Sequence, residues 1–202
     1  MHGTQDVLVV IDIQNRFLQD STFHRISWGG PEQKNKLDYL ETCYNILKRA
    51  SEYDVPIFLV EYSWYTGENH DPTEYAIIPP HYKNIEVVIK TDDDGSSNIV
   101  HALRNRGILD PELWVIGLNR ACCVADTCRG LYKNYGRPVN IIYEGTACSS
   151  GKPFDFGRLK EMSDIWVPDE EAEARVFHAR NKPEGLPNWV YIPERKRNQV
   201  LA

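Results

Sequence analysis

The sequence predicts an α/β protein, a three-layer α/β/α domain with a central, mostly parallel six-stranded sheet. Two observations carry this reading. Strand-length runs of β-branched and aliphatic residues recur along the chain with little polar alternation, as strands buried on both faces require. Between them lie stretches with helical spacing, and strand alternating with helix implies right-handed crossovers and helices on both faces of the sheet. At 202 residues and 42% hydrophobic content the chain suffices for one domain with a sizeable core and is short for two. We expect a single domain over 1–202, with its core at about 7–167 and an irregular C-terminal arm at about 168–202.

The elements follow in order. Val7-Leu8-Val9-Val10-Ile11-Asp12 is a continuous apolar run ending in an acid, a buried first strand. After a polar loop, Leu37, Leu40, Tyr44 and Leu47 give helical spacing up to about Tyr53. Pro56 to Tyr62 is the second strand, and a long segment from Ser63 to Lys83, rich in aromatics, histidine and proline, follows it. Loops of that length in compact domains are usually functional or disordered. Ile85 to Lys90 is the third strand, ending in a charge; Ser96 or Ser97 caps a helix through Val100, Leu103 and Arg104. Leu113 to Gly117 is the fourth strand and Cys122 to Tyr135 its helix. Pro138 to Tyr143 is the fifth, Phe156 to Met162 a short helix, and Asp164 to Val167 a short sixth strand. From Pro168 the pattern breaks, and Arg195-Lys196-Arg197 reads as a solvated terminus.

Composition excludes several classes. A formal charge of -6 provides no global basic field for nucleic acid or an anionic membrane surface. The longest apolar runs are strand-sized, well short of a membrane span. Residues 1–6 lack the basic and apolar regions of a signal peptide, and five cysteines follow no disulfide-framework spacing, so a reducing cytoplasm is the expected location.

The chemistry centres on Val115 to Thr127. Here a buried strand breaks at Gly117, turns, and delivers a cysteine to the start of a helix, where helix N–H groups and the dipole favour thiolate. A lone cysteine more often packs as a small hydrophobe. The balance shifts because an acid and a lysine occupy equivalent strand ends. In an open parallel sheet, ligands bind outside the carboxyl ends of the strands near the switch point of strand order. Asp12 ends the first strand, Lys90 the third, and Cys123 lies six residues past Gly117, so all three reach one crevice. Singly, Asp12 could cap a turn, Lys90 could be a surface charge and Cys123 could be core. Jointly they supply a base, a cation and a nucleophile, the set that acyl transfer through a thioester requires.

Val9-Val10-Ile11-Asp12-Ile13-Gln14-Asn15-Arg16-Phe17 resembles the opening motif of the isochorismatase-like cysteine hydrolases, which include nicotinamidases and N-carbamoylsarcosine amidases. Lys90 at a strand end and Gly117-Leu118-Asn119-Arg120-Ala121-Cys122-Cys123-Val124 with Thr127 resemble that family's other two blocks. The resemblance covers about Val7 to Val167 and assigns the nucleophile to Cys123 rather than Cys122. It implies a Rossmann-like fold and cofactor-free hydrolysis. Asp12 would take the thiol proton and return it to the leaving amine. Lys90 would hold the pair in its charged form and stabilise developing negative charge. It further implies an oxyanion hole from the backbone N–H groups of Asn119 and Cys123, a cis peptide at Leu118–Asn119, and a homo-oligomer, with the C-terminal arm reaching a neighbour.

The chain also departs from the family. After its lysine the family commonly carries a serine and an aromatic residue; here the chain reads Thr91-Asp92-Asp93-Asp94-Gly95-Ser96-Ser97-Asn98, whose acidic triplet suggests a hard metal site but is better read as a solvated turn feeding a helix cap. Glu61, Trp64, His70 and His81 do not match the Asp and paired histidines of metal-dependent nicotinamidases, so no metal is expected. Phe17, Tyr62 and Trp64 are candidates for an apolar or stacking wall, or for simple packing. Arg120 is a candidate for a substrate carboxylate or a surface salt bridge. The leading expectation is an enzyme cleaving a C–N bond in a small amide, carbamoyl or ureido compound. The alternatives are a catalytically idle homologue that binds or assembles, and a flavodoxin-like nucleotide binder. The last would need a Gly-rich phosphate loop after the first strand, and Gln14-Asn15-Arg16-Phe17 is not one.

Overall fold

A computed structural model describes residues 4–14, 17, 31–63, 82–118, 120–147, 174–180 and 186–192. Six strands, β1 (Gln5–Ile11), β2 (Ile57–Tyr62), β3 (Ile85–Lys90), β4 (Pro111–Leu118), β5 (Val139–Ala147) and β6 (Ala174–Phe177), form one sheet in the order β3-β2-β1-β4-β5-β6. Every pairing is parallel. Among the described residues, three longer α-helices, α1 (Pro31–Glu52), α2 (Ser96–Asn105) and α3 (Ala125–Tyr135), pack on the sheet, and a π-helical turn over Arg120–Val124 leads into α3. None of the described helices is long and apolar enough to cross a membrane.

Successive side chains of a strand point to opposite faces, so an unbroken apolar run feeds two cores. On one face Leu8, Val10, Ile57, Leu59, Trp114 and Ile116 meet Tyr39, Cys43, Ile46, Leu47 and Ala50 of α1. On the other, Val7, Val9, Ile11, Phe58, Val60 and Val115 meet Ile99, Val100 and Leu103 of α2 and Cys128 and Leu131 of α3. Each of these side chains adds on the order of 1.5–3 kcal/mol of burial, which is why the sheet is rigid enough to hold a site at its edge.

The sixth strand differs from expectation. It lies at Ala174–Phe177, inside the segment assigned to an irregular arm, and pairs with β5 from Val139↔Ala174 to Ile142↔Phe177. Ala179, Trp189 and Val190 are buried in the α1-side core, so the packed body reaches well past residue 167. Arg-Val-Phe offers too short an apolar signal to be read as a strand; tertiary pairing with β5 makes it one. The expected helix at Phe156 to Met162 and strand at Asp164 to Val167 lie outside the described residues. The chain start of α2 also differs: Asp94 Oδ1, not a serine, accepts the Ser96 N–H at 2.8 Å.

Asp6 fastens the C-terminal segment to the sheet. Its Oδ1 accepts from Trp114 Nε1 at 3.1 Å and its Oδ2 from Trp189 Nε1 at 2.9 Å. The two indoles meet edge-on with ring centroids 5.7 Å apart. Arg49 of α1 donates to the carbonyls of Asn188 and Trp189, completing the clasp. Asp6→Ala leaves two buried indole N–H groups without their acceptor and should lower unfolding free energy by about 2–4 kcal/mol, measured by urea denaturation followed through tryptophan fluorescence.

Candidate active site

The strand order reverses between β1 and β4, and the crevice this creates lies beyond their carboxyl ends. Asp12 follows β1 directly, with φ 54°, a left-handed conformation unusual for a non-glycine residue and one that concentrates at functional sites. Its N–H donates to the Val60 carbonyl at 2.9 Å, which fixes the turn against β2. Gly117, paired with Ile11 where β1 and β4 end, has φ 153°. A Cβ there would strike the Ile11 carbonyl, so only glycine lets the two strand ends approach.

Lys90 ends β3 and reaches across the end of β2 to Asp12, Nζ to Oδ2 3.0 Å, with both side chains fully buried. Nζ also donates to the Asp93 carbonyl at 3.0 Å and lies 5.1 Å from the centroid of the Tyr62 ring. Cys123, in the π-helical turn, is buried, and its thiol feels the charge of Asp12. The structure therefore brings Asp12, Lys90 and Cys123 to one place from three elements distant in sequence.

The electrostatics differ from those expected of a thiol at a helix start. Burial, and then the negative charge of Asp12, push the Cys123 thiol well up, and the Lys90 cation only partly opposes them. Burial works against the Lys90 ammonium, yet Asp12 and Cys123 outweigh it and hold Lys90 above its ordinary value. These directions favour the protonated thiol on Cys123 and the ammonium on Lys90. The position after the strand end and before α3 does not by itself lower this thiol.

Asp93, read from sequence as part of a solvated turn, faces the sulfurs. Its Oδ1 accepts from Cys123 Sγ at 3.4 Å and its Oδ2 from Cys122 Sγ at 3.1 Å. The exposed Cys122 is pushed up to about 11, by burial first and Asp93 second. Asp93, Cys122 and Cys123 hold potential ligand atoms within 4.8 Å of one another. In the structure both thiols donate to this carboxylate. Thr127 of α3 braces the turn, accepting the Gly95 N–H at 3.0 Å and donating to the Asp93 carbonyl at 3.3 Å.

Two further residues escaped the sequence reading. Gln14 and Glu61 are fully buried; Gln14 Nε2 donates to Glu61 Oε1 at 3.2 Å, and Gln14 Oε1 accepts the Tyr62 N–H at 2.9 Å. They pin the segment after Asp12 to β2. Their only signal in sequence is polarity at the edge of apolar runs. Of the proposed wall, Phe17 and Tyr62 meet edge-on with centroids 6.5 Å apart beside Lys90, although Phe17 is itself buried in the core. Trp64, Asn119, the Leu118–Asn119 peptide and the Arg120 side chain lie outside the described residues. Cys43 and Cys128 are buried, free thiols.

The charge pattern predicts how the thiol reacts. In the unliganded protein, iodoacetamide labelling of Cys123 should be slow at neutral pH and rise as pH passes above the ordinary thiol range. Asp12→Asn removes the charge that opposes thiolate and leaves Lys90 to favour it. It should accelerate labelling about tenfold, equivalent to one pKa unit, measured by peptide mass spectrometry.

The family model for the isochorismatase domain matches residues 6–165. No curated protein matches the chain in sequence. Among solved structures, an isochorismatase-like hydrolase from Alkaliphilus metalliredigens superposes with a TM-score of 0.60 at 16% identity, covering 87% of this chain and 95% of that one. N-carbamoylsarcosine amidase from Thermoplasma acidophilum gives 0.58 at 17% identity, over 90% and 100% of the two chains. A nicotinamidase/pyrazinamidase from Bacillus subtilis gives 0.57 at 19% identity, over 85% and 99%. At these identities the structural likeness establishes the fold, and the domain match establishes membership: the chain belongs to the isochorismatase family, whose homologues are hydrolases that include amidases acting on C–N bonds.

Proposed function

We propose that the protein is a cysteine hydrolase that cleaves a C–N bond in a small amide, carbamoyl or ureido compound through a thioester on Cys123. One observation carries the reading: a buried Asp12–Lys90 ion pair of 3.0 Å whose charges act on the buried thiol of Cys123 at the switch point of the sheet. A structural thiol has no need of such neighbours, and an ion pair of this kind is expensive to bury without a purpose.

The groups support a complete cycle. Cys123 Sγ adds to the carbonyl carbon while its proton passes to Asp12, and the carbonyl π electrons move to oxygen. Collapse of the tetrahedral intermediate breaks the C–N bond, and the nitrogen leaves with the proton held by Asp12. Water then adds to the thioester carbonyl, giving a proton to Asp12. The C–S bond breaks, and the proton returns to sulfur as the acid departs. Lys90 stays charged throughout and stabilises Asp12 as carboxylate and Cys123 as thiolate. In this reading the Asn119 and Cys123 backbone N–H groups receive the oxyanion. Phe17, Tyr62, Trp64 and Arg120 form the substrate wall.

An ammonia-release screen over small carboxamides, carbamoyl amino acids and ureido acids tests the reading. Turnover of at least one compound is expected, falling by three or more orders of magnitude in Cys123→Ala, as loss of a covalent nucleophile typically does. Release that persists in that variant, or no release from any compound, would sink the proposal.

A further inference from the structure

The hydrolysis outlined above uses Asp12, Lys90 and Cys123 and leaves Asp93 without a part. Yet Asp93 is held in place by two contacts at its own backbone carbonyl, from Lys90 Nζ at 3.0 Å and Thr127 Oγ1 at 3.3 Å. With the turn so fixed, the carboxylate points at the sulfurs, 3.4 Å from Cys123 Sγ and 3.1 Å from Cys122 Sγ. Thiols are weak donors, so a carboxylate holding two of them yields readily to a stronger donor.

Charge says which donor. The Lys90 ammonium is committed to the Asp12 carboxylate and meets Asp93 only at its carbonyl oxygen. Among the described residues, one ammonium therefore stands against two carboxylates beside the reacting sulfur, and a third negative charge arises when the thiol ionises. A cationic group is the complement. Asp93 is half-buried, so its charge is only partly screened by water.

We infer that Asp93 is a substrate-recognition residue, and that the substrate carries an ammonium or amidinium group one or two carbons from the scissile carbonyl; this rests on the hydrolase reading above. The reach follows from geometry. A carbonyl carbon poised for attack lies about 3–3.5 Å from Sγ. A charge-assisted N–H···O contact to Asp93 spans about 2.8 Å. With Asp93 Oδ1 3.4 Å from Sγ, an α- or β-ammonium group bridges the two positions. Binding would also help the chemistry, because Asp93 is one of the negative charges that push the Cys123 thiol up, and a cation seated on it offsets that push.

The test compares thiosulfonates of different charge on Cys122→Ser protein. The reagents are 2-aminoethyl methanethiosulfonate (cationic), methyl methanethiosulfonate (neutral) and 2-sulfonatoethyl methanethiosulfonate (anionic). Rates at Cys123 are divided by those with free 2-mercaptoethanol. The cationic reagent should exceed the neutral one by about five- to tenfold, the scale of a unit-charge contact largely screened by water. Adding Asp93→Asn should bring the ratio close to one, whereas Asp93→Glu and Asp126→Asn, a same-sized charge change in the first turn of α3, should retain most of it. No cation preference, an undiminished preference in Asp93→Asn, or no labelling of Cys123 by any reagent would overturn the inference. Ammonia release separates the two readings. Cation preference without release of ammonia from any amide overturns the hydrolase reading alone; release without cation preference overturns only the role of Asp93.

Discussion

The buried ion pair between Asp12 and Lys90 is the constraint on which the rest of the site depends. Each ion alone would be several kcal/mol too costly to keep charged in this setting, so each requires the other within contact distance. Their 3.0 Å contact is possible only if the ends of β1 and β3 are held on either side of β2 with little play. That explains the extra fastenings around them. Asp12 is held in a left-handed turn by its N–H to Val60, and the chain beyond it is tied to β2 through Gln14, Glu61 and Tyr62. Lys90 is held from the other side by the Asp93 carbonyl and the Tyr62 ring.

The pair in turn governs the sulfur. Because Asp12 is already an anion, a second anion on Cys123 is disfavoured, and the resting thiol keeps its proton. Because Lys90 is already a cation, the same proton can move to Asp12 without leaving the site bare of positive charge. The upward shift at Cys123 is the reverse of what a standing thiolate requires. This differs from sites where a helix dipole and a basic neighbour hold a standing thiolate.

Close packing of the turn after β3 against α3 unites the lysine and the cysteine. Thr127 links α3 to both Gly95 and Asp93, and Gly130 lets the helix come so near that a Cβ would strike the Ser96 hydroxyl. These contacts also divide the acidic triplet. Asp94 accepts the Ser96 N–H at the start of α2, while Asp93, one residue earlier, accepts from the sulfurs. Adjacent residues in one turn point to different surroundings, so no reading of composition could separate them.

Apolar runs such as Val7 to Ile11 and Ile57 to Val60 by themselves dictated buried parallel strands, because a strand with no polar face has no other stable place. Charges at the ends of the first and third strands likewise marked Asp12 and Lys90, since in a parallel sheet strand ends converge on one crevice. Periodicity carries information only over the span of one element, and what lies between distant elements belongs to the tertiary structure. Packing against β5 decided that Ala174–Phe177 is a strand, and the clasp on Asp6 decided that Trp189 is core. Only the assembled site fixed the protonation of Cys123, because the thiol responds to burial and to Asp12, more than a hundred residues away along the chain.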